Sequence, residues 1–237
     1  MNARQHQTAA MRLHTPALSA VGLALLLTAA SGFAQGSFQN LNFEQATIAP
    51  TPIGGWVYPA DPAQAFPGWT VGGGGDPPYP VVMYNTLSTG APAVCLMGPN
   101  FPNFANYLPL QGSYSVLLYC FMGAPPTLSQ TGLVPATAHS ISFLVGNGLS
   151  DAAVSLNGVN IPLVPASGGR MAGNISAFAG SVATLTFSVA ANRSIDNLFY
   201  FDVVQFSTVP VPEPGVLGMS ALGALLLGRG VLGRRRG

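Results

Sequence analysis

The 237-residue chain contains no lysine; its eight basic residues are all arginine, and they face only seven acids. Charged residues make up 6% of the sequence, against 49% hydrophobic residues. A disordered chain needs the opposite balance, so intrinsic disorder is excluded for the bulk of the chain. A formal net charge of +1 without lysine leaves no basic patch to neutralise phosphates, which argues against a nucleic-acid binder. The abundant Glu, Lys and Leu of a coiled coil are missing. Two cysteines and three histidines supply no transition-metal cluster of recognisable spacing. Long apolar runs occur only at the two ends, so a multi-span membrane protein is excluded as well.

The few charges are unevenly placed. Arg4 and Arg12 lie near the start, and Arg229, Arg234, Arg235 and Arg236 near the end. Residues 35–209 keep Arg170 and Arg193 against Glu44, Asp61, Asp76, Asp151, Asp196 and Asp202, a formal charge of −4. The near-neutral chain is thus a mildly acidic middle between basic tails.

The first 34 residues have the layout of a secretory signal: Arg4 and Arg12, an apolar stretch from Ala17 to Ala30, then Gly32-Phe33-Ala34 before Gln35. Met11 is an alternative start, with Arg12 as the positive residue. The apolar core is short for a membrane span, so cleavage after Ala34 is expected.

Residues 210–237 combine three parts in order. Val211-Pro212-Glu213-Pro214-Gly215 is followed by an apolar segment, Val216–Gly228, and then by an arginine cluster ending Arg234-Arg235-Arg236. The two prolines hold the motif extended and accessible to a protease. The apolar segment would stall translocation, and the arginines would hold the tail at the cytoplasmic face. This arrangement resembles the PEP-CTERM sorting signal of Gram-negative bacteria. The resemblance implies export, transient insertion in the inner membrane, and cleavage by an exosortase-type transpeptidase. It also implies residence at the outer surface or in the extracellular matrix, associated with exopolysaccharide. Arg229 interrupts the apolar run and would have to snorkel toward the interface.

Residues 35–209 make one domain of ordinary size. Period-2 alternation marks strands at Ser140–Val145 and Val182–Val189. Asn157-Gly158, between Ala153–Leu156 and Val159–Leu163, predicts a two-residue hairpin turn. Phe38–Glu44, Val81–Tyr84, Ala93–Met97, Tyr114–Phe121 and Leu198–Phe206 complete the expected strands. The stretch from Ala49 to Pro80, dense in Pro and Gly, is expected to be irregular. Eight or nine short strands predict an all-β antiparallel sandwich.

The order of features resembles exported galactose-binding-like jelly-roll domains: Asn42-Phe43-Glu44, then Pro67-Gly68-Trp69, a central Ser129-Gln130-Thr131, and a closing aromatic strand with Asp202 and Phe206. Phe201 stands where the usual closing strand carries a second acid. The resemblance implies that the first and last strands share a structural calcium, with Glu44 and Asp202 as the matching carboxylates. No other cofactor is expected.

Export places Cys95 and Cys120 in an oxidising compartment. A bond between them would close a loop of 25 residues, worth on the order of 3 kcal/mol. The alternative is two buried thiols. His139 is the domain's one histidine and reads as a turn residue; no motif selects a carboxylate pair or a nucleophile, so no catalysis is expected. Trp56, Tyr58, Trp69 and Tyr79 are the candidate aromatic platform for a sugar, although a Trp after Pro-Gly commonly packs in a core. The expected role is therefore a non-catalytic, structural or adhesive envelope protein in contact with extracellular polysaccharide. The alternatives are a carbohydrate-binding receptor with a defined site and, least favoured, a glycan-active enzyme. A concave aromatic groove would point to the receptor, a flat threonine-rich face to the matrix role.

Overall fold

A computed structural model describes residues 37–48, 60–75, 80–86, 92–99, 108–121, 124–146, 152–189 and 196–211. The expected signal segment, the Pro-Glu-Pro motif from Pro212 onward, and the arginine cluster lie outside the described residues. Among the described residues no helix is long and apolar enough to cross a membrane.

Among the described residues, twelve strands, one short α-helix and a single 3-10 turn at Ser176–Phe178 make up the regular structure. They are α1 (Pro62–Ala65), β1 (Thr70–Gly73), β2 (Val81–Tyr84), β3 (Ala93–Met97), β4 (Ser115–Phe121), β5 (Pro126–Leu133), β6 (Ser140–Val145), β7 (Ala152–Leu156), β8 (Val159–Asn160), β9 (Leu163–Ala166), β10 (Arg170–Asn174), β11 (Val182–Val189) and β12 (Asp196–Ser207). They form a five-stranded sheet in the order β1-β5-β11-β7-β8 and a seven-stranded sheet in the order β2-β3-β4-β12-β6-β10-β9. Among the described strands every pairing is antiparallel except β2 with β3, which is parallel and departs from the all-antiparallel expectation; an isolated parallel bridge also joins Ser37 to Leu133.

The two sheets meet through aromatic rings. Phe187 of the five-stranded sheet stacks on Phe201 of the other at 4.4 Å between centroids, and Phe143 meets Phe187 edge-on at 5.4 Å. The alternation of β11 sets this up: Ala183, Leu185, Phe187 and Val189 are buried while the residues between them are not. β2 and β3 do not alternate, because this end of the larger sheet is buried on both faces. Val82, Val94 and Leu96 join the central core, while Met83, Cys95, Met97, Leu117 and Tyr200 form a second cluster on the opposite face. A strand covered on both sides reads as a continuous apolar run.

The predicted hairpin turn is present. Asn157 (φ 49°) and Gly158 (φ 77°) both adopt the positive φ that a mirror-image turn requires. The strand after it is split. Val159–Asn160 pairs with β7, and the chain then crosses at Pro162 to enter the other sheet as β9. The segment Phe38–Glu44, expected as the first strand, is an irregular run with Asn40 and Phe43 at positive φ.

Within β12 one extra residue is inserted. Asp202 lies opposite Leu144 and Gln205 opposite Ser142, so three residues of β12 match two of β6. This bulge resets which residues face the core. Phe199 and Phe201 point inward before it, and Val204 and Phe206 pack against the same core after it.

Candidate functional site

The motif residues converge on the N-terminal segment and lock it in place. Gln130, from β5, accepts a hydrogen bond at Oε1 from the Gln39 N–H (2.5 Å) and donates from Nε2 to the carbonyls of Gln39 (3.1 Å) and Gly68 (2.6 Å). Asn40 Nδ2 donates to the Pro67 carbonyl, and Trp69 Nε1 donates to the Asn40 carbonyl, both at 3.1 Å. Val204 N–H donates to the Leu41 carbonyl at 2.8 Å, which joins the segment to β12. Phe43 packs between Trp69 (5.5 Å) and Phe201 (5.6 Å, edge-on). Trp69 is therefore a core residue, 7% exposed, and not part of a ligand surface. Its indole is amphipathic, and the buried N–H finds its partner in the same segment whose Phe43 covers its ring. Trp56, Tyr58 and Tyr79, the rest of the expected platform, lie outside the described residues.

Glu44 and Asp202 do come to one place, at either side of the loop Leu108–Tyr114. Glu44 Oε1 accepts the N–H groups of Ser113 (2.9 Å) and Tyr114 (3.1 Å). Asp202 is fully buried; its Oδ2 accepts the Ser115 hydroxyl (2.9 Å) and the Gln111 N–H (3.1 Å), and its Oδ1 accepts the Val203 N–H (2.6 Å). Gly112 (φ 67°) passes so close to Glu44 that an added Cβ would fall 2.3 Å from Oε1. Burial, with a smaller contribution from the Glu44 charge, pushes the Asp202 carboxyl up to about 6 against the opposing pull of those three hydrogen bonds.

The bulge residue Val203 has φ 47°, a strained conformation for a β-branched side chain. Arg170 braces it: Nη2 donates to the Val203 carbonyl at 2.6 Å and to the Ser142 carbonyl at 3.3 Å, and Nε donates to the Ser142 hydroxyl at 3.2 Å.

This geometry does not fit the calcium implied by the sequence resemblance. Calcium takes six to eight oxygen ligands. Here three of the four carboxylate oxygens already accept N–H or O–H donors. Among the described residues no group of three or more His, Cys, Asp or Glu side chains gathers around one point. The two carboxylates act instead as latches on a loop, each satisfying backbone N–H groups that the loop leaves unpaired.

The expected disulfide is also absent. Cys95, opposite Leu117 in the sheet, belongs to the outer cluster, while Cys120, opposite Asn197, belongs to the central core. The two thiols lie on opposite faces of one sheet and are not bonded to each other. Side chains of opposite pleat parity point apart, so no bond forms without moving the backbone. Burial pushes the Cys95 thiol up to about 12, leaving it inert.

His139 immediately precedes β6, its N–H donating to the Ser207 carbonyl at 2.8 Å. Its Nδ1 lies 3.2 Å from the Ser176 hydroxyl, which is also 3.3 Å from the His139 carbonyl. Both residues are exposed, and the arrangement ties a turn to a strand end.

The outer face of the five-stranded sheet was not legible as a site in the sequence. Thr70 pairs with Ser129, Ser129 with Thr186, Thr186 with Ser155, and Ser155 with Asn160. Directly opposed residues share a face, so one polar side chain from each of five strands forms a row across the sheet. Thr127 and Ser188 are opposed in the row on one side, and Thr131 and Thr184 on the other, their hydroxyls 2.8 Å apart. No ionisable side chain belongs to these rows.

Among the described residues, concavities lie away from this face. One, of about 370 Å³, is lined by Asn42, Glu44, Gln111, Gly112, Val203 and Gln205, with Leu41 and Val204. It lies against the latch. Another, of about 310 Å³, lies between β7–β8 and β9–β10, lined by Ala152, Val154, Asn160, Ile161, Leu163 and Met171 among others.

No protein-family description and no curated protein matches the chain. Two solved structures are similar in shape. One is the enzymatically active domain of bacteriophage CBA120 tailspike protein 4, at 21% identity and a TM-score of 0.37, over 60% of this chain and 19% of that one. The other is TmCBM61, solved in complex with β-1,4-galactotriose, at 16% identity and a TM-score of 0.36, over 73% of this chain and 98% of that one. The chain thus spans about a fifth of the tailspike domain's length.

Proposed function

We propose that the chain is an exported envelope protein of a Gram-negative bacterium, sorted by its C-terminal Pro-Glu-Pro signal and processed by an exosortase-type transpeptidase. Its galactose-binding-like, jelly-roll domain has a structural or adhesive role and contacts uncharged extracellular polysaccharide without catalysis. The observation that carries this reading is the charge-free hydroxyl face of the five-stranded sheet. Hydroxyl and amide groups both donate and accept, as sugar hydroxyls do, and a surface without charge pays little desolvation cost against a neutral polymer. Among the described residues these rows hold no aromatic ring on which a sugar could stack, so each of their contacts is weak and attachment depends on repetition along a polymer. That suits a matrix component better than a receptor.

Two measurements test the reading. Mass spectrometry of the mature protein should show a new N-terminus at Gln35 and loss of the Arg234–Gly237 tail; a retained tail overturns the sorting assignment. Electrophoresis of the mature protein through gels containing a soluble neutral glucan should show retardation that an acidic polysaccharide does not produce. Equal mobility in all gels overturns the polysaccharide role.

The rival reading, a receptor with a defined site, draws on the 370 Å³ concavity and its amides Asn42, Gln111 and Gln205. Saturable binding of a single monosaccharide would favour it.

A further inference from the structure

The hydroxyl face has a direction. Its central row, Thr70, Ser129, Thr186, Ser155 and Asn160, runs perpendicular to the strands and takes one residue from each. Neighbouring strands are about 4.8 Å apart, so the row spans about 19 Å. The sheet cannot be flat along that line: adjacent strands rotate by about 20–25°, which accumulates to roughly 80–100° over five strands. A crystalline polymer surface would touch only part of such a face. A single extended chain can follow it, and an extended pyranose chain repeats at a length comparable to the strand spacing. The hydroxyls of Ser155 and Thr186, both half-buried, make no side-chain hydrogen bond to any described residue and occupy the middle of the row.

From this we infer that one neutral glycan chain lies across the strands along this row, about one sugar per strand. The binding unit is then an oligosaccharide of about five residues, not a monosaccharide and not a crystal face. This rests on the polysaccharide role proposed above and specifies its site and its geometry.

The test uses the full mature protein with β-1,4-linked gluco-oligosaccharides of two to eight residues, a soluble neutral glucan, and microcrystalline cellulose. Affinity should climb with chain length and level off near five sugars. Thr186→Lys, at the centre of the row, should weaken glucan binding at least tenfold, and Thr186→Val, which keeps the shape and removes the hydroxyl, should weaken it less. Thr186→Lys replaces a half-buried side chain on the outer face, and an unchanged thermal midpoint confirms that the variant is folded; Ser155→Ala gives a second reading if it is not. A plateau at one or two sugars, binding to the microcrystalline form alone, or glucan binding that Thr186→Lys and Ser155→Ala leave intact each overturns this inference while the polysaccharide role stands. No binding to any neutral glycan overturns both.

Discussion

The side chain of Gln130 and the backbone of Gln39, 91 positions apart, exchange two hydrogen bonds, one in each direction. A carboxamide is the one neutral side-chain group that can complete a backbone unit in this way. The pair fastens an otherwise irregular N-terminal segment to the middle of a sheet, with the Gly68 carbonyl as a third partner.

Replacing Gln130 therefore acts on stability. Gln130→Ala leaves the Gln39 N–H and two carbonyls without their protein partner at part-buried positions, and is expected to cost about 1–2 kcal/mol. Gln130→Glu should be at least as damaging, since it removes both Nε2 donors and buries a charge. Urea midpoints at constant slope check this. Wild-type stability in Gln130→Glu would contradict the assigned clamp.

Asp202 makes stability depend on pH in an unusual direction. Its carboxyl titrates near 3.8 when unfolded and near 6 when folded. Between those values the folded state holds a proton that the unfolded state has released, so stability increases as pH falls from 6 toward 4. The penalty of the buried charge, on the order of 3 kcal/mol, is fully present above pH 6 and gone below pH 4. Asp202→Asn should flatten this slope. It should also destabilise the protein at low pH by about 1–3 kcal/mol, because both carboxylate oxygens accept donors and an amide NH₂ must face one of them. A wild-type urea midpoint that rises steadily from pH 4 to 7 would refute the assignment.

Gly112 is predicted to be intolerant of any side chain. Gly112→Ala places a methyl against Glu44 Oε1 at a positive φ, so the loop must move and both N–H bonds to Glu44 stretch. A loss of about 1–3 kcal/mol is expected, with faster hydrogen exchange at the amides of Ser113 and Tyr114. Unchanged exchange at those amides would argue against the latch.

Trp69→Ala should cost about 3–5 kcal/mol. Trp69→Phe should cost less, because the ring contacts with Phe43 and Phe187 survive while the bond to the Asn40 carbonyl is lost. If Trp69→Phe, which remains folded, lost glucan binding, Trp69 would have to contact ligand after all.

The cysteines supply an inexpensive check. The protein should run alike on reducing and non-reducing gels, with two thiols titrating only after denaturation, since Cys95 is wholly buried and Cys120 nearly so. A mobility shift on reduction would require the two strands to be rearranged.

Local pattern accounts for much of the fold. β11 alternates strictly, β6 carries Ile141 and Phe143 on its core face, Asn157-Gly158 carries its turn in two residues, and β2 and β3 are bounded apolar runs. β1, β5, β9 and β10 were missed because Gly and Pro within them read as loop. Their pairing comes from neighbours distant in sequence: β1 from a Gly-rich stretch pairs with β5 through Thr70–Ser129, and Pro126 begins a strand opposite Gly73. The expected first strand failed for the converse reason. Phe38–Glu44 has strand-like composition, yet its backbone groups are satisfied by Gln130, Trp69 and Val204 and not by a ladder.

What the sequence by itself determined is the all-β character of the middle, the scarcity of charge, and the turn at Asn157-Gly158, each set by residues that are neighbours along the chain. Only the tertiary structure decided what the singled-out residues do. Pleat parity separates Cys95 from Cys120. The bulge after Asp202 and the N–H groups of Gln111, Ser113 and Tyr114 turn two candidate metal ligands into loop latches. Strand register brings Thr70, Ser129, Thr186, Ser155 and Asn160, scattered over 90 positions, into one row. Register is a relation between strands, and a single strand's sequence does not contain it.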